Sequence, residues 1–231
     1  MKDSKQPVAA FFDLDGTIYR GILYQGVFRH HREHGIKAGT MMAFMIFHLP
    51  LWLLSKVRLF PIELLYRMHG ADLAWLFAGI SVERAEDIWE WIIETTILPN
   101  LRQEIVKAVD EHRGKGHRLI LLSGSFQPLL DRIVDRLDFD DAIATPLRIK
   151  NGRYTGWIER PVSIGRGKLK RMTDYLKDEG EGIDLAQSYY YADSIADVAC
   201  LEMVGKPVAV YPEARLARVA NDRNWRVIGR R

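Results

Sequence analysis

Val8-Ala9-Ala10-Phe11-Phe12-Asp13-Leu14-Asp15-Gly16-Thr17 sets a run of five apolar residues against a turn that carries two carboxylates. A short run with no polar interruption is what a strand buried on both faces of a parallel sheet requires. Asp13 then falls at the carboxyl end of that strand and Asp15 two residues on, with Gly16 free to take the turn. Two further runs have the same form: Arg118-Leu119-Ile120-Leu121-Leu122 ends in Ser123, and Ser188-Tyr189-Tyr190-Tyr191-Ala192 ends in Asp193. A shorter one, Pro207-Val208-Ala209-Val210-Tyr211, adds a fourth strand. Helical spacings of three and four over Leu101 to Arg113, Pro128 to Leu137 and Lys168 to Lys177 alternate with these runs. The alternation predicts an α/β fold, a doubly wound parallel sheet of the Rossmann-like kind. Ligands of such sheets bind outside the carboxyl ends of the strands, so Asp13, Ser123 and Asp193 are expected at one site.

Two stretches break the alternation. Leu147 to Ile158 holds Asn151-Gly152 between extended segments, the signature of a β-hairpin with a type I′ turn, whose central residues both need positive φ. The interval from Tyr19 to Leu98 has helical signals and no strand signal, and it is too long for a simple crossover. It is expected to be a helical cap domain over residues 19–98, inserted into a catalytic core made of residues 1–18 and 99–231.

With 48% hydrophobic and 27% charged residues the chain is composed like a globular protein, neither disordered nor a disulfide scaffold. Its single cysteine, Cys200, can make no internal disulfide, and Met1 to Pro7 is too short and polar for a secretory signal. Both readings point to the cytoplasm. The net charge is +3, with Arg215, Arg218, Arg223, Arg226, Arg230 and Arg231 gathered at the C-terminal end. These read as a solvated helix face and tail with at most a weak pull on anionic lipid. Without a dense basic stripe and base-stacking aromatics, no nucleic-acid partner is expected.

Two carboxylates as close as Asp13 and Asp15 disfavour each other unless a cation or proton lies between them, so a hard divalent ion such as Mg²⁺ is their natural partner. Asp193 supplies a third oxygen from another strand end. Phe11 to Thr17 resembles the nucleophile motif of the haloacid dehalogenase superfamily of phosphatases. The other motifs of that superfamily follow in order. Ser123-Gly124-Ser125 is similar to the second, Lys168 in Gly165-Arg166-Gly167-Lys168-Leu169 to the lysine motif, and Asp193-Ser194-Ile195-Ala196-Asp197 to the final acidic motif. The resemblance is to subfamily IB, the phosphoserine phosphatase-like branch, and spans nearly the whole chain.

That resemblance implies a phosphomonoester hydrolase in which Asp13 becomes an aspartyl phosphate and Asp15 serves as general acid and then base. It assigns Mg²⁺ to the Asp13 carboxylate, the Asp15 backbone carbonyl and the Asp193 carboxylate, with Ser194 and Asp197 behind them. Thr17 holds the loop, Ser123 and Lys168 meet the phosphoryl oxygens, and Gly124 lets the backbone approach ahead of the helix that Pro128 introduces. One departure stands out: Ala192 occupies a place where the family usually has glycine.

Met41 to Leu54 is apolar on every side, so it must be buried against something. A core helix of the cap is the first reading. The second is a surface that meets lipid or an apolar substrate, with Lys56 and Arg58 at headgroup level. A membrane span is the third, disfavoured because the segment is short and interrupted by His48 and Pro50. Phosphoserine phosphatases of the same branch carry a glutamate soon after the nucleophile motif, and Ile18-Tyr19-Arg20-Gly21-Ile22 has none. The substrate expected first is a small phosphorylated metabolite such as a phosphoserine-like compound. A lipid-linked phosphate, phosphatidylglycerophosphate-like and met at the membrane surface, comes second. Two readings of other classes remain: a binding module without turnover, and a zinc peptidase built on His30-His31-Arg32-Glu33-His34, which a solvated polar helix face also explains.

Overall fold

The computed structural model describes residues 6–178 and 182–230; the first five residues, part of the N-terminal segment read above, and Arg231 lie outside them. A six-stranded sheet has the order β3-β2-β1-β6-β7-β8, and its pairings are all parallel. Its strands are β1 (Ala9–Phe12), β2 (Arg118–Phe126), β3 (Asp141–Thr145), β6 (Tyr189–Ala192), β7 (Lys206–Val210) and β8 (Arg226–Ile228). A separate antiparallel pair, β4 (Leu147–Lys150) and β5 (Arg153–Ile158), turns through Asn151 at φ 53° and Gly152 at φ 70°. That is the predicted hairpin. β1 lies between β2 and β6, where the chain's progress across the sheet reverses, so the strand ends carrying Asp13 and Asp193 are neighbours.

The alternation of side chains along β1 divides the interior. Ala9 and Phe11 point into one apolar cluster with Ile120, Leu122 and Tyr190. Ala10 and Phe12 point into the other, where Phe12 stacks on Tyr191 with ring centres 4.4 Å apart. This second cluster continues through Phe126 into Phe77 and Trp89, so the helices between β1 and β2 share a core with the sheet. A fully buried aromatic of this kind contributes roughly 1.5–3 kcal/mol relative to exposure.

Those helices are α1 (Leu23–Glu33), α2 (Ala38–Lys56), α3 (Ile62–Asp72) and α4 (Val82–Ile92). Ser81 caps α4 by accepting the Arg84 N–H at 3.3 Å. The edge of the hairpin pairs with the segment just before that cap. Gly79 N–H donates to Tyr154 O at 2.7 Å, Tyr154 N–H to Ile80 O at 2.9 Å and Val82 N–H to Gly152 O at 3.0 Å. Then follow α5 (Gln103–Gly114), α6 (Gln127–Leu137), α7 (Arg166–Asp178), α8 (Val198–Leu201) and α9 (Ala214–Asp222).

Several sequence expectations are corrected. β2 does not end before Ser123 but runs on to Phe126, so Ser123, Gly124 and Ser125 are strand residues. β3 and β8 were not foreseen. Arg226 lies in β8, so the C-terminal arginines are not all on a helix and tail. Pro50 does not interrupt α2, which continues for 19 residues, and α2 is no core helix, since only Phe44 and His48 within it are buried. A proline removes one N–H and crowds the preceding turn, a local defect that an otherwise continuous helix here carries through.

Candidate functional site

β1, β2 and β6 end on one side of the sheet, and α7 brings Lys168 over those ends. Lys168 Nζ lies 2.8 Å from Asp13 Oδ1 and 2.6 Å from Asp197 Oδ1, with all three side chains buried. Asp193 completes the group: one carboxylate oxygen each from Asp13, Asp193 and Asp197 falls within a 4.8 Å span. Two of these carboxylates pair with the one ammonium group, and Asp193 brings a third carboxylate beside them. Burial pushes the Asp13 carboxyl well above its usual range, Lys168 pulls it down, and Asp197 and Asp193 push it up again. Burial alone would lower the Lys168 ammonium, but Asp13 and Asp197 outweigh it and hold the lysine charged. A hard cation fits this donor set, which is all oxygen and short of positive charge.

The loop after β1 is shaped to admit these groups. Gly16 has φ +76°, and a Cβ there would lie 2.2 Å from Asp193 Oδ2. Gly16→Ala is therefore expected to cost about 1–2 kcal/mol in backbone conformation alone and to displace the Asp193 carboxylate. The measurements are the denaturation midpoint and the rate of phosphate release, and both should fall. Thr17 Oγ1 is 3.4 Å from Asp13 Oδ2. Asp15 Oδ1 accepts from Tyr19 OH at 2.6 Å and Leu23 N–H at 3.1 Å, and Oδ2 accepts from Ser125 Oγ at 3.1 Å. Burial raises the Asp15 carboxyl above its ordinary value in spite of these donors.

Ser123 is buried at the same strand ends, its Oγ accepting from Ser125 N–H at 3.2 Å. A Cβ on Gly124 would meet Ile164 Cγ1 at 2.9 Å and Ser163 O at 3.2 Å, so this strand packs against the α7 loop only with glycine there. Ala192 sits in regular strand register with Ala209, and no unusual backbone is needed in place of a glycine. Ser194 accepts the Ala196 N–H at 3.2 Å, capping the short turn that presents Asp197.

A profile of the haloacid dehalogenase-like hydrolases matches residues 10–202. The chain belongs to that family. Over 95% of its length and 77% of the relative's, this hydrolase is 28% identical to a Streptomyces azureus protein named for inhibition of morphological differentiation. It is 27% identical to a phosphoserine phosphatase of Mycobacterium tuberculosis, over 95% of this chain and 70% of that one. A solved structure of a Bordetella pertussis Tohama I protein of unknown function superposes with a TM-score of 0.79 at 26% identity, covering 97% and 99% of the two chains. This haloacid dehalogenase-like hydrolase is a phosphatase of the phosphoserine phosphatase-like branch.

Asp13, Asp15, Ser123, Gly124, Lys168, Asp193 and Asp197 all line one cavity of about 970 Å³ in this hydrolase. Asp197, expected behind the metal ligands, reaches the carboxylate cluster itself. Three residues of the site were missed in the sequence. Tyr19 and Ser125 hold Asp15, and Arg102 donates from Nε to Gly16 O at 3.1 Å while its guanidinium lies 3.7 Å above the Tyr211 ring. Ser125 stands inside the quoted Ser123-Gly124-Ser125 and Tyr19 lies two residues beyond Thr17, but neither residue type signals a role by itself. The histidine string is absorbed elsewhere, and not as a solvated face. His30 and His31 are buried, His31 Nε2 is 3.0 Å from Leu76 O, and His34 Nδ1 is 2.9 Å from His30 O. Burial, with His34 and His31 alongside, lowers His30 to about 4. Among the described residues the three aspartates form the sole group of three metal-ligating side chains.

Proposed function

We propose that this phosphatase hydrolyses phosphate monoesters in two displacements at Asp13. The single observation that carries the reading is the buried Lys168 held between Asp13 and Asp197, with Asp193 in the same cluster. Asp13 attacks phosphorus, the bond to the ester oxygen breaks, and Asp15 gives that oxygen its proton. Asp15 then takes a proton from water, the water oxygen attacks the same phosphorus, and inorganic phosphate leaves with Asp13 restored. Lys168 and Ser123 are positioned to meet the phosphoryl oxygens. Mg²⁺, held by Asp13, Asp193 and the Asp15 backbone carbonyl, with Asp197 alongside, would offset their negative charge when bound. The helical block over residues 19–98 would act as the cap that selects the leaving group.

Phosphate release from p-nitrophenyl phosphate, with and without Mg²⁺, tests this reading. Turnover should require the ion, and chelation should abolish it. Thermal melting gives an independent readout, since Mg²⁺ at about a hundredfold over its Kd adds roughly 2.7 kcal/mol of stability. Turnover at full rate in chelator would sink the metal assignment.

The two raised carboxyls also fix the form of the pH profile. Asp13 must be ionised to attack, so activity is lost as pH falls through its pKa, which burial raises and a bound cation would lower again. Asp15 must be protonated to act as the acid, so activity is lost as pH rises through its own elevated pKa. The expected kcat/KM profile is a bell. Asp15→Asn should remove its alkaline limb, and a limb that persists in that variant would assign the acid to another group.

A further inference from the structure

α2 is long and apolar enough to cross a membrane by length and composition. Sixteen large apolar side chains are exposed among the described residues, and twelve of them fall between Met42 and Tyr66. The inner stripe of the helix is engaged along the block. Phe44 packs edge-on to Phe28 at 5.5 Å and to His69 at 4.8 Å between ring centres, and His48 lies 5.0 Å from His69. A spanning placement would strip these contacts and carry His48 into hydrocarbon. A helix fixed along one side and apolar on the others suits the plane of a bilayer surface.

The charges around the patch favour the same occupant. From the start of α2 to the end of α3 the cations are Lys56, Arg58 and Arg67 and the acids are Glu63 and Asp72, of which Asp72 is turned inward against His48 at 3.4 Å. Lys56 Nζ sits 5.0 Å from the centre of the half-exposed Trp52 ring, an aromatic and a cation together at the patch edge. A second copy of the chain related by a two-fold axis would set these like charges against one another, whereas anionic headgroups would neutralise them.

The patch and the catalytic cavity are continuous. Met45, Leu49 and Trp52 are all more than two-fifths exposed, yet they line the cavity that has Asp13 and Lys168 at its base. The acids lining the cavity itself are Asp13, Asp15, Asp193 and Asp197, all at or just after the strand ends, and the carboxylate of Asp72 lies behind the lining, 3.4 Å from His48 Nε2. Part of the way up, His48 Nδ1 and His69 Nε2 are buried without a hydrogen-bond partner. Burial, with His48 alongside, lowers His69 to about 4, so it is a neutral ring.

We propose that α2 rests on an anionic bilayer surface and that the cavity takes the phosphate monoester of a lipid from it. The phosphoryl group reaches Asp13, the polar linkage passes His48 and His69, and the acyl chain leaves between Met45, Leu49 and Trp52. This inference rests on the phosphatase reading above.

The test compares the wild type with an Ile46→Glu, Leu53→Glu double variant, whose altered side chains are exposed and do not line the cavity. Vesicles of phosphatidylcholine, with or without phosphatidylglycerol, are sedimented with each protein. Phosphate release is measured from phosphatidate carried in those vesicles and from p-nitrophenyl phosphate in solution. The wild type should sediment with the anionic vesicles and be released by salt. The double variant should lose at least about tenfold in vesicle binding and in phosphatidate hydrolysis, with its aryl phosphate rate unchanged. A wild type that ignores vesicles, or a variant that hydrolyses vesicle phosphatidate as fast, overturns the proposal. So does a dimer that the variant dissolves while vesicles bind neither protein, or a wild type that only detergent can extract. Loss of aryl phosphate turnover in the wild type would instead overturn the phosphatase reading beneath it.

Discussion

Asp13→Asn is expected to reduce phosphate release by roughly 10⁴-fold or more while leaving the melting temperature nearly unchanged. An amide of the same shape cannot serve as the attacking oxygen, and removal of a nucleophile typically costs this much. The fold should tolerate the change because the site is crowded with carboxylates: Asp13, Asp193 and Asp197 lie together, and Asp197, 2.6 Å from Lys168 in the wild type, is left as its partner when Asp13 is neutralised. Rate and stability should therefore separate. Phosphate assays and thermal melts on the same preparation check this, and a variant that keeps more than a tenth of the wild-type rate would show that the phosphoryl group does not pass through Asp13.

Lys168→Met should behave in the opposite way, failing in both measurements. The methionine fills a similar volume but leaves Asp13 and Asp197 buried beside Asp193 with no counter-charge. Breaking a buried ion pair from one side costs about 3–5 kcal/mol. The cluster would respond by binding a proton, so the variant should regain stability as pH falls, in the direction set by the raised Asp13 carboxyl. Phosphate release should fall as well, since the cation beside the phosphoryl oxygens is gone. Urea denaturation at two pH values provides the check. A midpoint equal to that of the wild type at neutral pH would mean that another group balances the aspartates.

The central strands and the motif residues were legible because burial on both faces leaves no room for polar side chains, so β1, β2 and β6 announce themselves as apolar runs. β3 was not legible. Its sequence Asp141-Ala142-Ile143-Ala144-Thr145 lacks such a run, and it is held in place partly by Gln127, whose side chain donates to Ala142 O and accepts from Ala144 N–H. β8 is a three-residue edge strand opened by an arginine, with nothing local to mark it. The extension of β2 through Ser123 depends on Gly124 fitting against Ser163 and Ile164, a contact made by residues forty positions away. The error about α2 has another origin. An all-round apolar helix implies a covering partner, but the rule does not say that the partner belongs to the same chain.

The hairpin turned through Asn151 and Gly152 has a mechanical meaning for this site. Its backbone bonds to Gly79, Ile80 and Val82 tie the helical block to the hairpin at a third point besides the two crossings of the chain, and Arg153 adds a bond to Gly79 O at 2.8 Å. A lid joined only at its two crossings could swing open as a rigid body. One riveted at a third point cannot do so without breaking strand-like hydrogen bonds. α2 and α3 both line the cavity above Asp13 and carry the exposed apolar side chains, so any displacement of these two helices would alter the cavity wall and the apolar surface together.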